Sequence, residues 1–113
     1  MTPARLASSV LVSALVRRAQ DEGGFAAILA RGDPTAGAVA VILAEKGRKA
    51  CFLERLLQPD GCYSWRASGQ GAENEEEFEK FLRRRRKVDP DMWILELDIA
   101  SAERFAAEMN AIG

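Results

Sequence analysis

Arg83-Arg84-Arg85-Arg86-Lys87 is the densest concentration of one chemistry in the chain. Guanidinium groups in such a run can bind phosphates or an acidic partner through bidentate contacts. The same run closes a helical segment that opens on Glu73, Glu75, Glu76, Glu77 and Glu79. Acid at the start and base at the end is the arrangement the helix dipole favours, and Glu76/Lys80 and Glu79/Arg83 add pairs at i,i+4. The structural reading is therefore the stronger one. Two carboxylates flank a proline directly afterwards, in Asp89-Pro90-Asp91-Met92-Trp93. They could hold a cation or orient the arginines, but Asp competes well for nearby backbone donors, so a turn shaped by Asp89 and Asp91 with Trp93 in the core is favoured.

Asp33, followed by Glu45-Lys46 after a strand-like segment, invites comparison with metal-dependent nucleases, whose Asp and (Asp/Glu)-x-Lys motifs lie on an α-β-β-β-α-β core. Two carboxylates holding Mg²⁺ beside a lysine suit phosphodiester hydrolysis. Here Glu45 and Lys46 are adjacent, so on a strand they point to opposite sides and the fit is poor. Gly69-Gln70-Gly71 precedes a helix, but the glutamates around that helix start would repel a phosphate. Trp65-Arg66 with Tyr63 two residues earlier could stack a planar ligand, although a tryptophan on a strand of a small domain reads first as core.

The chain has no histidine, which removes imidazole bases, Ser/His and Cys/His nucleophile pairs and histidine-containing metal sites. Cys51 and Cys62 are too far apart for a C-x-x-C motif and too few for a zinc site, so both are read as reduced, packing residues. No metal or cofactor is expected, and the balance leans away from an enzyme. With 16 basic and 17 acidic side chains the charge is nearly balanced, so any nucleic-acid or membrane-surface partner would need a local patch. The apolar stretch Leu6 to Val16 is short, broken by serines, and runs into Arg17-Arg18 without a clear cleavage site. It reads as neither a membrane span nor a signal peptide, and a cytoplasmic location is expected.

The elements that must position these residues follow from periodicity. At 113 residues, 48% of them apolar, the chain can bury one core without staples, and residues 1–113 are expected to form a single domain. Leu6, Val10 and Ala14, with Leu11, Leu15, Val12 and Val16, predict a helix over about 3–21, with Pro3 in its first turn and Gly23-Gly24 ending it. Strands are expected at 25–31, 38–44, 49–57 and 62–67, joined by the turns Gly32 to Gly37, Glu45 to Arg48 and Pro59-Asp60-Gly61 and read most simply as an antiparallel meander. A loop over Ser68 to Ala72 leads to a helix capped by Asn74 and Glu77, with Phe78, Phe81 and Leu82 on its apolar face and its end near Val88 before Asp89-Pro90. Met92 to Ile99 predicts a strand with Trp93, Leu95, Leu97 and Ile99 on one face and Met92, Ile94, Glu96 and Asp98 on the other. Ser101 can cap a last helix that buries Phe105, Met109 and Ile112 and leaves Glu103 and Glu108 in water. The expected class is α+β, a mostly antiparallel sheet of about five strands with helices packed on it, in the order α-β-β-β-β-α-β-α.

Ala14 to Arg18, Gly24 to Ala27, Arg31 to Val39, Trp65-Arg66-Ala67 and Asp89 to Trp93 together resemble the pattern of a mainly alphaproteobacterial family known as domain of unknown function 1491. The family pattern often places a lysine after Ala-Gly-Ala-Val, where this chain has Val41, Ile42 and Leu43, so the resemblance implies no catalytic lysine there. It also implies no activity, substrate or cofactor. The resembling segments carry polar groups that a core does not need, namely Arg17, Arg18, Arg31, Asp33, Asp89 and Asp91. With Arg83 and Arg86 from the basic run, these are the candidate binding residues. The favoured function is a non-enzymatic binding or adaptor module that meets a protein partner or a second copy through the Gly32 to Gly37 and Asp89 to Trp93 turns. The mixed face of Met92 to Ile99 is the surface expected to lie against a second copy or a partner. The alternative is a phosphate or nucleic-acid-binding protein, in the extreme a divergent Mg-dependent nuclease-like fold.

Overall fold

The computed structural model describes residues 7–67 and 75–112, with the side chains of residues 49, 50, 111 and 112 outside that description. Its elements are α1 (Ser8–Asp21), β1 (Phe25–Ala30), β2 (Val39–Glu45), β3 (Arg48–Leu57), β4 (Tyr63–Ala67), α2 (Glu75–Val88), β5 (Trp93–Asp98) and α3 (Ala102–Ile112), in the expected order. The strands form one sheet in the spatial order β1-β5-β2-β3-β4. Pairs β1/β5, β2/β3 and β3/β4 are antiparallel, but the central pair β2/β5 is parallel. The sheet is thus mixed, which corrects the mostly antiparallel expectation. Only β2, β3 and β4 form a meander, and β5 lies between β1 and β2, so the Gly32 to Gly37 segment is not a hairpin turn. The physical reason is the long connection through β3, β4 and α2, which returns the chain in the direction a parallel neighbour requires. The strands it brings together in the middle are the two that tolerate cover on both faces.

Both faces of the sheet are in fact covered. Val39, Val41 and Leu43 of β2, with Trp93, Leu95 and Leu97 of β5 and the adjoining Ile99, pack with Leu11, Val12, Leu15 and Ala19 of α1 and Phe105 and Met109 of α3. On the opposite face Ala40, Ile42, Met92 and Ile94 pack with Phe52 of β3 and Phe78 of α2. The two faces expected for Met92 to Ile99 are those observed, yet Met92 and Ile94 are buried beneath α2. The wet mixed face expected to receive a second copy or a partner therefore shrinks to Glu96 and Asp98, both half-buried. Asp98 is itself occupied, because its carboxylate accepts from the backbone N–H of Lys46 (2.9 Å) and Gly47 (2.7 Å). Those two residues have φ of 50° and 80°, the left-handed pair that a tight hairpin between β2 and β3 requires.

α2 docks through an aromatic cluster. Phe52 lies edge-on to Phe78 (5.8 Å) and Phe81 (5.4 Å), and buried Glu54 of β3 pairs with Arg85. Of the expected i,i+4 pairs, Lys80 and Glu76 stand 3.6 Å apart. α3 starts under a double cap. Ser101 Oγ accepts from Arg104 N–H (3.3 Å), as the sequence implies, and Glu45 Oε2 accepts from Ala102 N–H (2.7 Å). Glu108, expected in water, instead receives Arg18 and Arg104, and hydrogen bonds from these two guanidinium groups hold its carboxyl below the usual carboxylate range. Pro3, Leu6, Ser68 to Ala72, the Asn74 cap and the Ile112 side chain lie outside the described residues.

Trp65 is core, as read. Cys51 is half-buried and Cys62 exposed, and neither is in a disulfide. Burial, reinforced by the charge of Glu45, pushes the Cys51 thiol up. Because the thiolate is the reactive form, iodoacetamide labels Cys62 several-fold faster than Cys51 in the folded protein, and the difference disappears in denaturant. Peptide mass spectrometry over a time course checks this.

Candidate functional site

The two turns singled out in the sequence meet. Asp33 N–H donates to the Asp91 carbonyl (2.9 Å), Trp93 N–H to the Ala38 carbonyl (2.7 Å), and the Trp93 indole N–H to the Asp33 carbonyl (2.8 Å). Gly32 and Gly37 permit the approach, since a Cβ on either would lie 2.0 or 2.3 Å from the Asp91 carbonyl oxygen. The start of α1 is tied to the same place. Its first N–H groups have no partner within the helix, and Ser8 and Ser9 donate theirs to the carbonyls of Thr35 (3.2 Å) and Pro34 (2.9 Å). Ser8 Oγ, buried, donates to the Gly37 carbonyl at 2.6 Å.

Around this junction lies a cavity of about 350 Å³, lined chiefly by Ser8, Thr35, Arg55, Tyr63, Asp89 and Asp91. That volume falls within the range of small-ligand pockets. The Arg55 guanidinium lies 4.4 Å above the Tyr63 ring centroid, a cation–π platform on one wall. Asp89 and Asp91 are also among the cavity's lining residues. Asp89 Oδ1 accepts from Asp91 N–H (3.2 Å), whereas no hydrogen bond or ion pair among the described residues uses the Asp91 carboxylate. The cavity therefore carries both signs of charge together with an aromatic face and backbone polar groups, a set suited to recognising a polar ligand.

Of the candidate residues, Asp89 and Asp91 reach the cavity and Asp33 supports it. The Asp33 carboxylate accepts from the N–H groups of Thr35 (3.1 Å) and Ala36 (2.8 Å), so it shapes the turn and does not face the cavity. Arg31 and Arg86 meet each other, with Arg86 Nη2 donating to the Arg31 carbonyl at 2.8 Å. That contact ties the end of α2 to the segment after β1. Arg18 is engaged by Glu108. Arg17 is exposed, and both residues lie more than ~13 Å along the α1 axis from Ser8, at 1.5 Å per residue. Arg83 is exposed on α2 and is not part of the cavity.

Arg55 and Ser8 were not among the expected site residues. Arg55 did carry a signal, since it falls at the same strand parity as Leu53 and pairs with Trp65, and a charge at an inward position of a strand calls for a partner or a ligand. Ser8, a hydroxyl on the buried face of α1, carried a weaker one.

The geometry also bears on the nuclease comparison. Asp33 lies beside the start of β2 and Glu45 is its last residue, so roughly 20 Å of strand separates them at 3.3 Å per residue. One Mg²⁺ with ligand distances near 2.1 Å cannot span that gap, and Glu45 is engaged at the start of α3. The basic run is likewise divided between Glu54, which takes Arg85, and the Arg31 carbonyl, which takes Arg86.

No curated protein matches the chain. Among solved structures, the solution structure of a DUF1491 family protein from Caulobacter crescentus CB15 superposes with a TM-score of 0.76 at 28% identity, covering 89% of this chain and 92% of that one. The crystal structure of a DUF1491 family protein from the same organism gives 0.74 at 28% identity, with 89% and 94% covered. A solution structure of a protein from A. tumefaciens gives 0.70 at 27% identity, with 91% and 93% covered. The family model described as a protein of unknown function, DUF1491, matches residues 6–107, which include both turns, Ser8, Arg55 and Tyr63, and on that match the chain belongs to the DUF1491 family.

Proposed function

We propose that this protein is a non-enzymatic binding module whose docking point is the cavity between the Asp33 to Gly37 turn and the Asp89 to Asp91 turn, and that it accepts a basic side chain of a protein partner. The observation that carries this reading is the convergence of the two turns on a cavity of about 350 Å³ that Asp89 and Asp91 help to line. An ammonium or guanidinium group entering there gains charge-assisted hydrogen bonds from carboxylates. The turn backbone is held by hydrogen bonds to α1 and β5, which keeps the cavity formed before a ligand arrives and lowers the ordering cost of binding. No helix among the described residues is long and apolar enough to cross a membrane. Two cysteines without a disulfide agree with a reducing, cytoplasmic compartment.

The test is an NMR titration with arginine amide and N-acetyl-lysine amide, beside N-acetyl-glutamate amide as the control. The basic probes shift the backbone signals of Thr35 to Ala38, Tyr63 and Asp89 to Asp91, and the acidic probe leaves them in place. In the double variant Asp89→Asn, Asp91→Asn the apparent affinity for the basic probes falls about tenfold or more, the worth of one to two charge-assisted hydrogen bonds. Shifts confined to other surfaces, or an unchanged response in the double variant, would overturn the reading.

A further inference from the structure

We infer that β1 is a docking edge for a second copy of this chain, which would join two five-stranded sheets edge to edge. Among the described residues, the strand lies at one end of the sheet and pairs only with β5. Its sequence, Phe25-Ala26-Ala27-Ile28-Leu29-Ala30, contains no charged residue and no proline. Phe25 is 77% exposed and Leu29 51%. Among the described residues, no hydrogen bond beyond the β5 ladder involves the backbone of this strand. Edge strands that must stay single carry charges, prolines or a cover, and the opposite edge shows such a cover. The side-chain amide of Asn110 accepts from Trp65 N–H (2.8 Å) and donates to the Trp65 carbonyl (3.3 Å), so α3 occupies the backbone of β4 where another strand would pair. Among the described residues, one edge of the sheet is closed by its own chain and the other is apolar and unpaired.

A second copy fits this edge better than an arbitrary strand because the ends of β1 complement each other. Under a two-fold axis through the middle of the strand, antiparallel pairing places Arg31, which follows β1, beside the partner's opposite end. That end carries Asp21 and Glu22, which precede β1; Glu22 also faces Arg104 of its own chain at 3.8 Å. The strands themselves bring no like charges together. The contact is small. Six residues extend only about 20 Å, the bulge between Ile28 and Ala30 shortens the flat part, and the area stays below the ~1,200 Å² typical of stable complexes. The dimer is therefore a reversible one that follows concentration. This inference is independent of the ligand cavity, whose walls include no residue of β1.

Sedimentation velocity on the full chain, from micromolar to near-millimolar concentration, tests it. The mass rises from the 12.4 kDa of one chain toward twice that value. Over the same range, amide hydrogen exchange at Phe25 to Ile28 slows by several-fold while that of β4 is unchanged. Ala27→Lys, at an exposed site opposite Glu96, places two lysines near the axis, where like charges oppose pairing, and the mass stays at one chain throughout. Leu57→Lys, at a site 58% exposed on β3, leaves the concentration dependence as in the parent. A parent protein that remains at one-chain mass at the highest concentration, exchange that ignores concentration at β1, or an Ala27→Lys variant that still associates would each overturn the inference.

Discussion

Gly32→Ala lowers the melting temperature by roughly 10–15 °C, the equivalent of about 3 kcal/mol in a domain of this size. A Cβ at residue 32 would lie 2.0 Å from the Asp91 carbonyl oxygen and 2.7 Å from its carbonyl carbon. Both belong to backbone, which cannot rotate away as the tip of a side chain can. The cost is one of space, because the φ of Gly32 is not in the left-handed region. Gly47→Ala is the matching control, with φ at +80° but nothing within 4 Å of its Cβ, so its cost comes from backbone conformation alone and stays near 1 kcal/mol. Thermal melts followed by circular dichroism compare the two. Because the clash would push the Asp89 to Asp91 turn away from the Asp33 to Gly37 turn, Gly32→Ala also weakens the response to arginine amide, whereas Gly47→Ala leaves it intact. Equal losses of stability in the two variants would mean that the turns are not held together as tightly as the glycine contacts require.

Trp93→Ala removes about 3–5 kcal/mol of stability, within the range for truncating a buried aromatic, out of a total of roughly 5–15 kcal/mol for a small domain. Trp93 is 5% exposed, and it joins the two halves of the site. Its ring packs with the α1 and α3 side of the core, while its indole N–H holds the Asp33 carbonyl. Trp93→Phe separates these contributions. It keeps most of the packing and removes the donor, and since the Asp33 carbonyl still accepts from Gly37 N–H (3.2 Å), the loss is about 1 kcal/mol. Urea unfolding followed by the fluorescence of the remaining Trp65 measures both variants. If Trp93→Phe proves as damaging as Trp93→Ala, the hydrogen bond to the turn, not the packing, is the main contribution.

Much of this molecule is legible in local pattern. The alternation from Met92 to Ile99 gives the two faces of β5 correctly, because side-chain direction on a strand depends only on parity. Phe78, Phe81 and Leu82 mark the buried side of α2, Phe105 and Met109 that of α3, and Ser101 caps α3 as read, since helix faces and caps are set within a few residues. The family resemblance drew attention to Arg31 to Val39 and Asp89 to Trp93, the segments that meet in the structure. The resemblance did not distinguish residues that face the cavity from those that build it. Asp33 is committed to its own turn, Arg18 to Glu108, and Arg86 to the Arg31 carbonyl. Those assignments depend on partners 55 to 90 residues away for the two arginines, and no local spacing encodes them.

The sequence by itself determined the class of the protein, the number and order of its elements, which face of most of them is buried, and the exclusion of imidazole chemistry, because these depend on composition and on periodicities of two and 3.6 residues. Only the tertiary structure decided that β5 enters between β1 and β2, that the sheet is mixed, that β4 is closed by Asn110 while β1 is open, and that Ser8, Arg55 and Tyr63 join Asp89 and Asp91 around one cavity. Strand pairing is a choice among several apolar segments of similar pattern. The choice depends on the long connection through α2 and on the close approach that Gly32 and Gly37 allow, and both act between parts of the chain far apart in sequence.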